Sequence, residues 1–164
     1  MSAGDITLFN GGTGTGAVRY NVAAGTTSSI NPGEVCYRAL YGIVVTAATN
    51  STAKPVVATD YIAGIATTQS TETASAAGYV MVQELQPGQI WLMTPTNPTS
   101  WDTQSEYDAL VGKNVLLSTA GSGGAQTILN THGNTSGCTI QWLDVSKHPG
   151  KVAFSFRNGV SPLS

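Results

Sequence analysis

Apolar and polar residues alternate with a period of two in several stretches of the chain, the pattern of strands with one face buried. From Ala17 onward, Val18, Tyr20 and Val22 fall on one face and Arg19 and Asn21 on the other, which predicts a strand. Asn31-Pro32-Gly33 follows. Proline fixes φ at the first central position and glycine supplies positive φ at the second, so a type II turn joining a strand pair is expected. The apolar stretch 35–46 is interrupted by Gly42, and it reads either as one bulged strand or as two short ones. Residues 47–54 read as a loop, and Pro55 permits an edge strand from Val56. A strand over 61–66 precedes a polar, small-residue surface loop over 67–78. Residues 79–85 and 90–94 alternate on either side of Gln86-Pro87-Gly88-Gln89, the strongest hairpin pattern in the chain. Further strands are expected at 115–117, 127–129, 138–145 and 152–156, between Gly/Ser/Asn loops.

One helix interrupts the strands. Thr103-Gln104-Ser105-Glu106 is a capping box, in which the threonine hydroxyl accepts from the third amide and the glutamate reaches back to the cap. Tyr107, Leu110 and Val111 form its apolar side and Gly112 can end it in the left-handed conformation. The helix is therefore expected over 104–111, two turns at most. Residues 1–16 are of a different kind. They are glycine-rich and hold one apolar patch, Ile6, Leu8 and Phe9, too little to order alone but enough to pair with a sheet edge on a neighbour. They read as a flexible N-terminal arm, with 17–164 as a single β-rich domain. The alternative left open is that Ile6, Leu8 and Phe9 complete the protein's own sheet.

Composition reinforces the β reading. The 22 Thr, 15 Ser and 19 Gly residues are a third of the 164, and β-branched threonine favours strands while glycine and serine favour turns. The fold class expected is all-β, a small β-sandwich or β-barrel with one short helix and an extended N-terminal arm. Charged residues are only 10%, against about 25% in ordinary domains. With a net charge of −2 and no two adjacent cations, the chain lacks the clustered charge that nucleic-acid binding requires. No window is apolar enough for a spanning helix, and the first residues lack the basic and apolar regions of a secretory signal. Neither nucleic acid nor membrane is expected as a partner. The low charge predicts a cyclic homo-oligomer, because interfaces deplete charge and retain aromatics.

Catalytic chemistry needs paired titratable groups, and these are scarce. His132 and His148 sit in loop-like stretches without a second ligand at metal spacing. Gly12-Thr13-Gly14-Thr15-Gly16 lacks the Gly-Lys-Ser/Thr of a phosphate loop, and Gly121-Ser122-Gly123-Gly124 lacks the nucleophile elbow. Asp102, Glu106 and Asp108 are accounted for by the helix dipole. Cys36 and Cys138 read as buried thiols, with a bridge between them left open. Trp91, Trp101 and Trp142 read as core or interface residues, with a sugar-stacking platform as the alternative. No enzyme activity, cofactor or metal is expected.

The glycine-rich arm, Asn31-Pro32-Gly33-Glu34-Val35, Tyr61-Ile62-Ala63-Gly64-Ile65-Ala66, and Ala77-Gly78-Tyr79-Val80-Met81-Val82 leading into Pro87-Gly88-Gln89-Ile90-Trp91 together resemble the decoration, or cement, proteins of tailed-bacteriophage capsids. The likeness spans mainly residues 30–117 and lies in segment order and composition. It implies a small β-rich protein, commonly a trimer, that sits on the outer surface of the virion and binds the major capsid protein so as to bridge capsomers. It further implies capsid attachment by the arm, through Ile6, Leu8 and Phe9. This chain is longer than the smallest such proteins and has few prolines in its arm. A glycan-binding virion surface or fibre module is the alternative function.

Overall fold

The computed structural model describes residues 6–10, 16–25, 30–38, 44–46, 61–86, 88–119, 126–132 and 137–157. The expected strand at 56 and the loop before it lie outside them. Eleven strands and one short α-helix are described: β1 (Thr7–Asn10), β2 (Ala17–Val22), β3 (Val35–Arg38), β4 (Val44–Thr46), β5 (Tyr61–Ala66), β6 (Gly78–Glu84), β7 (Ile90–Met93), α1 (Gln104–Asp108), β8 (Asn114–Thr119), β9 (Gln126–His132), β10 (Cys138–Gln141) and β11 (Val152–Phe156). A 3₁₀ turn, Pro98–Trp101, precedes α1. The strands form two antiparallel sheets, one of six strands in the order β1-β7-β11-β10-β8-β9 and one of five in the order β2-β6-β5-β3-β4. The fold is all-β, a sandwich and not a closed barrel.

The main core lies between the sheets. Val35, Ile62, Ile65 and Leu85 from the five-stranded side pack with Trp91, Met93, Leu117, Ile140 and Phe154 of the other. A second core, of Val22, Ile30, Cys36, Ala63, Ala66, Val80 and Val82, occupies the opposite face of the five-stranded sheet. At β3 and β5 that sheet is buried on both sides because consecutive positions are apolar, Val35-Cys36 and Ile62-Ala63 among them, so both faces leave water there, whereas β2 is largely exposed. The sheet also curls. Its two end strands, β2 and β4, come close together without sharing a ladder, and the second core lines the inside of the curl. A register shift between Cys36 and Tyr37 opposite Gly64 tightens the bend. Gly64 has φ +152, and a Cβ there would lie 2.0 Å from the Gln83 carbonyl oxygen. Only glycine fits.

Two expectations about pairing are corrected, and one strand is shorter than expected. Residues 79–85 and 90–94 do not form a hairpin: β6 pairs with β2 and β5 in one sheet, whereas β7 pairs with β1 and β11 in the other. The turn between them is real, with the Gln86 amide donating to Gln89 Oε1 at 2.8 Å and Gly88 at φ +81. It carries the chain from one sheet to the other. The turn at Asn31-Pro32-Gly33 is likewise formed, with Gly33 at φ +85 and the Glu34 amide donating to the Asn31 carbonyl. It does not join a strand pair, because β3 pairs with β4 and β5, not with β2. The stretch 35–46 contains two antiparallel strands, β3 and β4, and the strand expected over 138–145 ends at Gln141.

The N-terminal segment follows the alternative left open by the sequence. Residues Thr7–Asn10 pair with β7 at the edge of the molecule's own sheet, and Ile6 is buried in the main core. The side chains of Leu8 and Phe9 lie outside what is described.

Candidate functional site

Side-chain hydrogen bonds tie α1 to residues 141–145. Thr103 caps α1: its hydroxyl accepts from the Glu106 amide at 3.3 Å and donates to Glu106 Oε2 at 2.8 Å. Half of the expected box is present, and the glutamate meets the cap's hydroxyl instead of its amide. Gln104 then ties the helix to the neighbouring chain. Its amide nitrogen donates to the Leu143 carbonyl at 3.0 Å, and its oxygen accepts from the Val145 amide at 3.0 Å. One turn on, the buried Tyr107 hydroxyl donates to the Gln141 carbonyl at 2.8 Å and accepts from the Ala153 amide at 2.9 Å, where β10 and β11 part. Burial pushes its pKa up to about 12, opposed by the Ala153 hydrogen bond. The Gly112 amide completes the seam by donating to the Ile140 carbonyl.

The solvent side of this seam, the ledge, is flanked in sequence by two exposed apolar residues. Trp142, between the bonded residues Gln141 and Leu143, is 60% exposed, and Val111 is 40% exposed. Val111 was expected on the buried side of a helix reaching 111. The helix ends at Asp108, so only Tyr107 and, in part, Leu110 turn inward. Trp91 and Trp101 are core residues. The local sequence does not separate Trp142 from them, since Trp101 is buried although it stands between Ser100 and Asp102.

Next to the ledge, Asp102, Gln104, Asp144, Val145, Ser146, Pro149 and Gly150 line an open cleft of about 500 Å³. Its Asp144 carboxylate is engaged locally. The Ser146 hydroxyl donates to Asp144 at 2.6 Å and Lys147 lies 3.3 Å away, and together they hold the Asp144 carboxyl below the usual range. His148 sits in the following turn, as expected, with its amide donating to the Asp144 carbonyl. His132, expected in a loop, is the last residue of β9, so the two histidines lie on different elements. No group of three or more His, Cys, Asp or Glu residues with metal-binding geometry occurs among the described residues. Cys36 and Cys138 are both free and buried, one in each core. Burial raises both thiols far above their ordinary value, and for Cys36 the neighbouring Glu34 adds to the effect.

The outer face of the six-stranded sheet carries neutral polar pairs. Thr139 donates to Asn114 at 2.9 Å and Gln141 to Ser155 at 2.9 Å, beside a second open cleft of about 450 Å³ that Arg157 also lines. On the five-stranded sheet, Arg19 stands 4.2 Å over the ring of Tyr79. No described helix is long and apolar enough to cross a membrane. Comparison with protein families, curated proteins and solved structures finds no match for this chain.

Proposed function

We propose that the chain is a structural virion protein that binds the outer surface of a tailed-phage capsid and stabilises it by bridging capsomers, acting as a homo-oligomer, a trimer by the resemblance above. The observation that carries the proposal is at the ledge: Trp142 is 60% exposed, and the backbone carbonyls on either side of it are held by the side chains of Gln104 and Tyr107. A large aromatic on a rigid support loses little conformational entropy when covered, and such residues dominate protein interfaces. The neutral polar pairs on the outer face of the six-stranded sheet suit a wide protein contact that needs no strong charge. With Ile6 buried in the core, we assign attachment to this body surface, and the N-terminal segment supports it by completing the sheet.

The test is co-sedimentation with undecorated capsids. Trp142→Ala is expected to weaken binding by about 2 kcal/mol, roughly 30-fold, while leaving the melting temperature unchanged. Wild-type binding with no loss in Trp142→Ala would remove the ledge from the account. Binding to a glycan array that requires Trp142, without binding to capsids, would instead favour the saccharide reading.

A further inference from the structure

We infer that the six-stranded sheet continues from one copy of the chain into the next, with the outer edge of β9 pairing antiparallel to the outer edge of β1 of a second copy. An edge strand exposes a row of amides and carbonyls, and monomeric β proteins guard such edges with lysine, other charges, proline or a covering segment. The two sheets differ in this respect. The five-stranded sheet ends in β2, which carries the exposed Arg19, and in β4, and its curl brings these two edges close to each other. The six-stranded sheet ends in β1, Thr-Leu-Phe-Asn, and β9, Gln-Thr-Ile-Leu-Asn-Thr-His, at opposite ends of its strand order. Neither holds an Asp, Glu, Lys, Arg or Pro, and no described strand pairs with the outer edge of either.

Strand direction permits this pairing. Every described pairing in this sheet is antiparallel, so with six strands β1 and β9 run in opposite senses. A second copy placed in the same orientation therefore brings its β1 antiparallel to β9, and the alternation continues unbroken. The contact joins two different edges, so it is heterologous and closes into a ring when its rotation allows. The inference does not depend on the capsid reading, since its partner is the chain itself.

Two lysine variants test it. Thr127 pairs with Ser118 in the β9 register and Thr7 with Leu92 in the β1 register. Thr127→Lys blocks one edge and Thr7→Lys the other. The mass of each is followed by light scattering, with thermal melts to verify folding. Wild type is expected to associate, each variant alone to fall to the mass of one chain, and an equimolar mixture to recover a species of two chains, because it restores one intact β9–β1 contact. Hydrogen exchange on the wild type supplies a readout free of substitutions: amides of 7–10 and 126–132 should gain protection as concentration rises. A wild type that stays monomeric at millimolar concentration overturns the inference. So does association that Thr7→Lys leaves untouched, or association without added protection at these two strands.

Discussion

Glu34 is fully buried, yet only one of its carboxylate oxygens has a hydrogen-bond partner among the described residues. Oε2 accepts from the Asn31 amide at 3.0 Å, closing the turn before β3, and Oε1 has no partner. Loss of water raises its pKa, and the bonds from Asn31 only partly oppose the rise. The titratable neighbour is the Cys36 thiol, itself held neutral by burial. A carboxyl raised by folding favours the protonated folded state, so its contribution is fully present below the ordinary glutamate value and is lost as pH rises through the raised one. Glu34→Gln keeps an acceptor for Asn31 and removes the charge. The variant is expected to match wild type near pH 4 and to exceed it at neutral pH by about 1–3 kcal/mol. Urea midpoints measured across that range check the prediction, and a wild-type advantage that grows toward neutral pH would contradict it.

Tyr107 joins three elements. It stands on α1 with its ring in the main core, and its hydroxyl satisfies both a carbonyl of β10 and an amide of β11. Tyr107→Phe leaves two buried backbone groups without that partner, at a cost of about 1–3 kcal/mol. Denaturant unfolding should show a lower midpoint with an unchanged slope, and a loss below about 0.5 kcal/mol would show that the seam is not held this way. Such elements were partly legible in the sequence. The strand Tyr61–Ala66, the cap at Thr103 and the positive φ of Gly33 and Gly112 follow from local chemistry, and the local pattern was enough to place them. Pairing was not legible. The alternation on either side of Gln86 is the same whether the chain doubles back or crosses to another sheet, and what decides it is that β2 and β5 already occupy both edges of β6. The ledge was hidden for a similar reason, because the exposure of Trp142 depends on where β10 stops and not on its own neighbours in sequence.

At the scale of the whole molecule, the described residues form a sandwich with two cores that presents neutral polar pairs, the uncharged edges β1 and β9 and an exposed tryptophan, features that suit a protein working inside an assembly. Stabilisation of a capsid then follows from linkage: a protein that binds the closed shell but not its free subunits shifts the equilibrium toward the shell, and several copies joined in one oligomer add avidity. The most direct measurement compares sedimentation of the intact protein with undecorated shells and with dissociated capsid subunits. The account predicts saturable binding to the shells, no binding to the subunits, and a higher disruption temperature for the decorated particles. Protein that remains in the supernatant with shells, or binds subunits as tightly as shells, would contradict it.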